Sequence, residues 1–291
     1  MTASKTRVSK RPLISPLRYP GGKAALYPRL REIIRSNGFA GCTYVEPYAG
    51  GAGAALSLLV TGQVERIEIN DLDPAIAAFW STVVHEPDFL AHQIRKAKLN
   101  VREWQKQKAI YREADASNPT TLGFATFYLN RTNRSGVLNG GPIGGLDQTG
   151  NYKIDARFNR EGLTERIRII SLYAEKIQVT SRDGLEIIRD ACRRRNTFVY
   201  ADPPYFEKAG SLYLNAFRPS DHEALAKLLN QRAQKTWVLT YDNVPQVGEL
   251  YPDRARHTFG LHYSAHRVLR ATEVMVVSDS LNVKAEDEYL L

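Results

Sequence analysis

The chain has 291 residues, 43% hydrophobic and 24% charged, with a net charge of +9. That length suits one large α/β domain with an insertion, or two small domains. No apolar run approaches the roughly 20 residues of a membrane span, and the basic first 18 residues lack the apolar stretch of a secretory signal, so a soluble cytoplasmic protein is expected. Cys42 and Cys192 stand too far apart for a CxxC pair, and the six histidines show no HExxH spacing. Reduced structural thiols and no metal are the expectation.

In chain order, a basic segment over 1–15 precedes Tyr19-Pro20-Gly21-Gly22-Lys23. A phosphate loop would need glycine at position 17 and Ser or Thr at 24; Leu17 and Ala24 exclude it. A strand is predicted over 43–46, then the loop Glu46-Pro47-Tyr48-Ala49-Gly50-Gly51-Ala52-Gly53, then a helix. Glycines at such a turn let backbone approach a ligand closely. A second strand over 66–70 leads into Asp71, placed either for ribose hydroxyls or as a cap for the helix opening at Pro74.

The rhythm then breaks. Residues 87–160 read as a polar helix over 104–113, a more apolar helix over 120–129 and a loop rich in Gly, Asn and Arg over 130–151. Residues 91–170 hold 14 Lys/Arg against 7 Asp/Glu, and the rest of the chain is nearly neutral. A localised excess fits a nucleic-acid module, though a solvated helical face would look the same. Lys96, Lys98, Lys106 and Lys108 fit either reading.

Strand-helix alternation resumes with strands over 176–180, 197–201 and 236–241. Asp183 follows the first of these. Ser220 and Glu223 read as a capping box for a helix reaching Lys235. Residues 256–282 read as an antiparallel hairpin at the sheet edge, with strands near 261–263 and 274–277, and the acidic residues 286–288 as a frayed end. The expected fold is α/β: a doubly wound, Rossmann-like sheet over 16–86 and 161–291, with a mostly helical, loop-rich insertion at 87–160. Glu46, Asp71, Asp183 and Asp202 all fall at the C-terminal ends of predicted parallel strands, the edge where such sheets bind ligands.

Asp202-Pro203-Pro204-Tyr205 is the most specific motif. The Asp202 carboxylate and the Pro203 carbonyl are two acceptors, and consecutive prolines fix the backbone between them. Such a pair suits the two hydrogens of an NH₂ group on an aromatic ring. Tyr205 offers a face for stacking, typically ~1–3 kcal/mol per base.

Taken in order, Tyr19–Lys23, the loop Glu46 to Gly53, Asn70-Asp71, the basic insertion and Asp202–Tyr205 resemble the Dam-like α-group of DNA adenine-N6 methyltransferases over roughly residues 16–277. The resemblance implies a site-specific enzyme that takes its methyl group from S-adenosylmethionine and flips its target adenine out of double-stranded DNA. It implies Tyr19 and Lys23 lining the cofactor or target pocket. Glu46, Tyr48, Gly50, Gly51 and Gly53 would lie at the cofactor, Asp71 at its ribose, Asp183 at its adenine, and Asp202 at both cofactor and target. Asn130, Arg131, Asn133 and Arg134 are similar to the family's DNA-contacting loop, and Asn139 follows in a stretch unlike the GATC-reading branch. Arg131 and Arg134 would either read a base or grip phosphate. A monomer without membrane or metal is expected. The rival readings are the same chemistry on RNA, an inactive nucleic-acid-binding module of the same fold, and a nicotinamide oxidoreductase, which would leave Asp202–Tyr205 unexplained.

Overall fold

The computed structural model describes residues 14–18, 23–115, 117–206, 217–265 and 267–283. Strands β1 (Thr43–Glu46), β2 (Arg66–Asn70), β3 (Ile177–Thr180), β4 (Thr197–Ala201), β5 (Trp237–Asp242), β6 (Ala255–Ala265) and β7 (Arg267–Val277) form one seven-stranded sheet, ordered β3-β2-β1-β4-β5-β7-β6. β1 to β5 are mutually parallel; β7 runs antiparallel to both β5 and β6. This is the Rossmann-like order with an antiparallel hairpin replacing the last parallel strand. The five parallel strands lie within a residue of the sequence reading, because strands covered on both faces are continuous apolar runs. The hairpin was expected as short strands at the edge. Its strands have eleven residues each, and β7 sits inside the sheet, covering the otherwise open side of the fully buried β5.

Side chains alternate between two cores, as the strand period of two requires. Tyr44, Phe198 and Tyr200 belong to the core under α1 (Tyr27–Ser36), α2 (Gly53–Val60) and α3 (Pro74–His85). Val45, Val199 and Ala201 belong to the core under α8 (Gly184–Ala191), α9 (Pro219–Asn230) and α10 (Pro245–Leu250). Helices therefore cover both faces. The sequence order reverses between β1 and β4, which opens a crevice at their C-terminal ends.

Between α3 and β3 lie α4 (Pro87–Lys96), α5 (Val101–Glu113), α6 (Pro119–Thr132) and α7 (Arg160–Ser171). They share the first core. α6 lies so close to α3 that a Cβ on Gly123 would stand 2.3 Å from Thr82 Oγ1 and 2.7 Å from the Ala78 carbonyl. Two expectations change here. α6 runs three residues past Leu129, so Asn130 and Arg131 are helical rather than in a loop. α9 starts at Pro219, with the Arg218 N–H donating to the Asp221 carboxylate at 2.8 Å. Ser220 thus lies inside the first turn, because Pro219 takes the position prolines favour, and the helix ends at Asn230, before Lys235. Both cysteines are buried and unpaired. Among the described residues, no helix is long and apolar enough to cross a membrane, and no group of three or more His, Cys, Asp or Glu could hold a metal ion.

Candidate active site

The fully buried β4 delivers Asp202 to the crevice. Asp202 Oδ1 accepts from Thr240 Oγ1 at 2.7 Å and from the Tyr205 hydroxyl at 3.2 Å, and lies 3.4 Å from Lys23 Nζ. The carboxyl stays 21% exposed. Burial pushes its pKa up to about 6, against the pull of Lys23 and with a further push from Glu273. Among the described residues, no donor engages the Pro203 carbonyl. Tyr205 is buried: Lys23 Nζ donates to its hydroxyl and lies 4.7 Å from its ring centroid. The open stacking face expected of Tyr205 is therefore turned into the protein. Phe206 and Phe217 supply further rings. Phe206 stacks on His222 at 3.7 Å, and Phe217 stands edge-on to Tyr48 at 5.6 Å.

Lys23 opens a short turn ahead of α1 and is itself buried. Its second carboxylate partner is Glu273 of β7, at 2.9 Å and fully buried. Sequence reading passed over Glu273, yet the signal was present: a lone carboxylate heading the apolar run Val274 to Val277. A buried carboxylate needs a partner. Tyr19, Pro20, Gly21 and Gly22 lie outside the described residues.

The glycine loop is pinned from several sides. Gly50 adopts φ +45°, its N–H donates to Asp71 Oδ2 at 2.9 Å, and its carbonyl accepts from Trp80 Nε1 at 2.8 Å. The Gly51 carbonyl accepts from Ser15 Oγ at 2.6 Å. Gly53 serves packing, since a Cβ there would stand 2.9 Å from Ala24 Cβ. Glu46 lies beneath the loop, accepting from Tyr44 Oη at 3.0 Å and the Ala55 N–H at 3.1 Å. Burial pushes its pKa up to about 8. The direct cofactor contact expected of Glu46 gives way to support of the loop and of the α2 N-terminus.

Asp71 takes one backbone N–H on each oxygen, Gly50 and Asp73, and burial pushes its pKa up to about 6. The α3 cap is Asp73, which accepts from the Ala75 N–H at 2.8 Å, so Asp71 is not the helix cap. Asn70 ties three strand ends together, donating to the Pro47 and Arg182 carbonyls and accepting from Thr180 Oγ1. Asp183 caps α8 through Oδ1 and remains exposed. The Tyr48 ring lies on Gly184, where a Cβ would stand 2.3 Å from it, and the Tyr48 hydroxyl is buried without a partner among the described residues.

At the C-terminal end of α6, Asn130 and Asn133 point inward. Asn130 Nδ2 donates to the Arg18 and Gly136 carbonyls, and its Oδ1 accepts from the Arg18 N–H. Asn133 accepts from Trp104 Nε1 and donates to the Val137 and Leu138 carbonyls. Both amides are fully committed and buried, which corrects their expected DNA contact: they shape the loop. Arg134 and Asn139 are exposed. Lys108 is buried, donating to the Leu138 carbonyl at 2.7 Å, whereas Lys106 is exposed.

No curated protein matches the chain. One matching structure, from Listeria monocytogenes and provisionally described as a class I S-adenosylmethionine-dependent methyltransferase, aligns with 96% of this chain and 65% of its own at 11% identity and a TM-score of 0.38. This chain therefore spans less than two thirds of that protein's length. The model of D12 class N6 adenine-specific DNA methyltransferases matches residues 19–268. With that match over most of the chain and the sheet and edge motifs described above, the chain belongs to the D12 class N6 adenine-specific DNA methyltransferase family.

Proposed function

We propose that the protein is a site-specific DNA adenine methyltransferase of the Dam-like α-group that methylates the exocyclic amine of a flipped-out adenine. The observation that carries this reading is Asp202–Tyr205 at the β1/β4 switch point, with a partly exposed carboxylate beside an unengaged Pro203 carbonyl. The residues at the neighbouring strand ends fit S-adenosylmethionine. The pinned glycine loop and the orphaned Tyr48 hydroxyl would take its methionine half, Asp71 its ribose and Asp183 its adenine. When bound, that cofactor supplies a sulfonium methyl whose transfer releases a neutral thioether.

Asp202 and the Pro203 carbonyl accept the two amine hydrogens, which orients the nitrogen lone pair toward the methyl group. As the N–C bond forms, the nitrogen becomes cationic and sheds one proton through Asp202 toward water. Lys23 favours the ionised form of Asp202 that this role needs. The base must leave the stack to reach the site. Arg134 and Asn139 are the exposed candidates for contacts to DNA.

Incubation with methyl-labelled S-adenosylmethionine and either duplex DNA or RNA, followed by modified-base sequencing of the DNA, tests the reading. Label in DNA at N6 of adenine within one short sequence is expected. Label in RNA alone, or in neither, overturns it.

A further inference from the structure

The segment ahead of Lys23 is stitched to both halves of the molecule. Ser15 donates to the Gly51 carbonyl and accepts, through its own carbonyl, from Arg166 at 2.8 Å. Asn130 of α6 brackets Arg18, bonding its N–H and its carbonyl at 2.7 Å each. A side chain on Gly136, which adopts φ +77°, would meet the Arg18 carbonyl at 2.4 Å. This stitching gathers Arg18, Arg131, Arg157 and Arg166 along one seam.

The hydrogen bonds of these guanidiniums go to carbonyls. Arg131 Nε and Nη2 donate to the Arg157 carbonyl, Arg166 donates to Ser15, and Arg18 donates to the Asn133 carbonyl at 3.5 Å. Arg157 lies over the exposed Tyr152 ring, 5.8 Å from its centroid, and its guanidinium makes no hydrogen bond among the described residues. Among the described residues, no carboxylate pairs with any of the four. Burial and the charges of the other three push the Arg131 pKa down to about 10. Arg18 is lowered as well, first by burial and then by Arg157. Guanidinium-to-carbonyl bonding alone would mean little: Arg160 caps the end of α4 in that way. What sets the seam apart is like charge held together with no carboxylate paired to it among the described residues.

We infer that Arg18, Arg131, Arg157 and Arg166 form a clamp for a backbone phosphodiester of the substrate DNA. The inference rests on the DNA methyltransferase reading and assigns Arg131 to backbone rather than base. Arginine forks match phosphate geometry bidentately, and a phosphate supplies the missing charge. The location has a use. The segment carrying Arg18 is bonded through Ser15 to Gly51 of the glycine loop, so the clamp can hold the backbone close to where a base must swing out of its stack.

The test uses the full chain and two fluorescein-labelled DNA duplexes, one containing a sequence found methylated by the wild type and one scrambled. Affinity is measured across a salt series for wild type, Arg157→Ala, Arg157→Ala/Arg166→Ala and Arg157→Lys/Arg166→Lys. S-adenosylhomocysteine binding reports folding. The double alanine variant should lose affinity equally on both duplexes, and its log–log salt slope should fall by about 0.9 for each phosphate it no longer neutralises. The lysine pair should keep most of the slope. Wild-type affinity and slope in a variant that still binds S-adenosylhomocysteine overturn the clamp. A loss confined to the methylated-site duplex also overturns it, in favour of base reading. If the double variant fails to fold, Arg157→Ala carries the same comparison, since its guanidinium holds no other element. Failure of the underlying reading is distinguishable: the wild type would then transfer no methyl to DNA before any variant is compared.

Discussion

The two cationic centres of this protein are built in opposite ways. At the sheet edge, Lys23 is buried with Glu273 at 2.9 Å and Asp202 at 3.4 Å, so its charge is answered inside the fold. At the seam, Arg18, Arg131 and Arg166 meet carbonyls and Arg157 an aromatic ring, with no carboxylate among their partners in the described residues. Both cost desolvation, but the first is closed on itself and the second is left for something else to complete. Internal compensation fixes geometry. In the proposed clamp, its absence leaves a charge for the DNA backbone to answer.

The strongest way to break this comparison is at the closed centre. Asp202→Ala should lower methyl transfer by about 10²-fold or more, the scale of removing one preorganised polar contact to a reacting group. Calorimetric affinity for S-adenosylhomocysteine should stay within a few-fold; near wild-type turnover would remove Asp202 from the chemistry. The same carboxyl sets the acid side of the pH profile. It must be ionised to take up the amine proton, so kcat/KM, which reports the free enzyme, should fall as pH drops through about 6.

Glu273→Gln comes next. It removes a fully buried charge partner from Lys23, with an expected stability loss of about 3 kcal/mol in denaturant melts. Glu273 raises the Asp202 pKa, so the acid limb of kcat/KM should move to lower pH. An unmoved limb with the same stability loss would make Glu273 purely structural.

Asp71→Ala should weaken S-adenosylhomocysteine binding by roughly 1.5–3 kcal/mol, the cost of a lost charge-assisted hydrogen bond. Unchanged affinity by titration calorimetry would confine Asp71 to holding Gly50. Arg134→Ala, in the open half of the molecule, should cost roughly 1–3 kcal/mol on the methylated sequence if it reads a base, seen as relaxed methylation at one position.

The remaining effect is on stability against pH. Asp71, Asp202 and Glu46 all have folded pKa values raised above their ordinary ones, to about 6, about 6 and about 8. Groups raised on folding contribute stability that is present at low pH and lost as pH rises through the folded values. From these three groups, the ligand-free protein should melt higher at pH 5.5 than at pH 8.5 in a scanning fluorimetry series; the reverse order would show that other groups dominate.

The closed centre was half legible in the sequence. Parallel strands are buried on both faces and declare themselves as apolar runs, so the ends carrying Glu46, Asp71 and Asp202 could be placed. Lys23 was legible through its motif, but Glu273 contacts it from a strand remote in sequence, and pairing across that distance leaves no periodic trace. The open region was read by composition, which misled. Asn130 to Asn133 looked like loop, yet α6 continues because Asn130 and Thr132 are buried, and Thr132 Oγ1 bonds the Tyr128 carbonyl at 2.7 Å. Tertiary burial overrode propensity. Glu46 was misjudged for the converse reason: a strand-end carboxylate points outward in the pattern, while the Ala55 N–H and Tyr44 hydroxyl draw it under the loop.

The Lys23–Glu273 pair also has a consequence in time. Its partners are separated by 250 residues, and chains emerge from the ribosome N-terminus first at about 5–20 residues per second. Lys23 is therefore made roughly 12–50 s before its carboxylate exists. Through that interval the glycine loop, the insertion and Asp202–Tyr205 are all synthesised, yet β7 has not entered the sheet beside β5. A nascent chain thus holds the motif residues without the arrangement around Lys23, which is completed only when β7, the last of the described strands, joins the sheet.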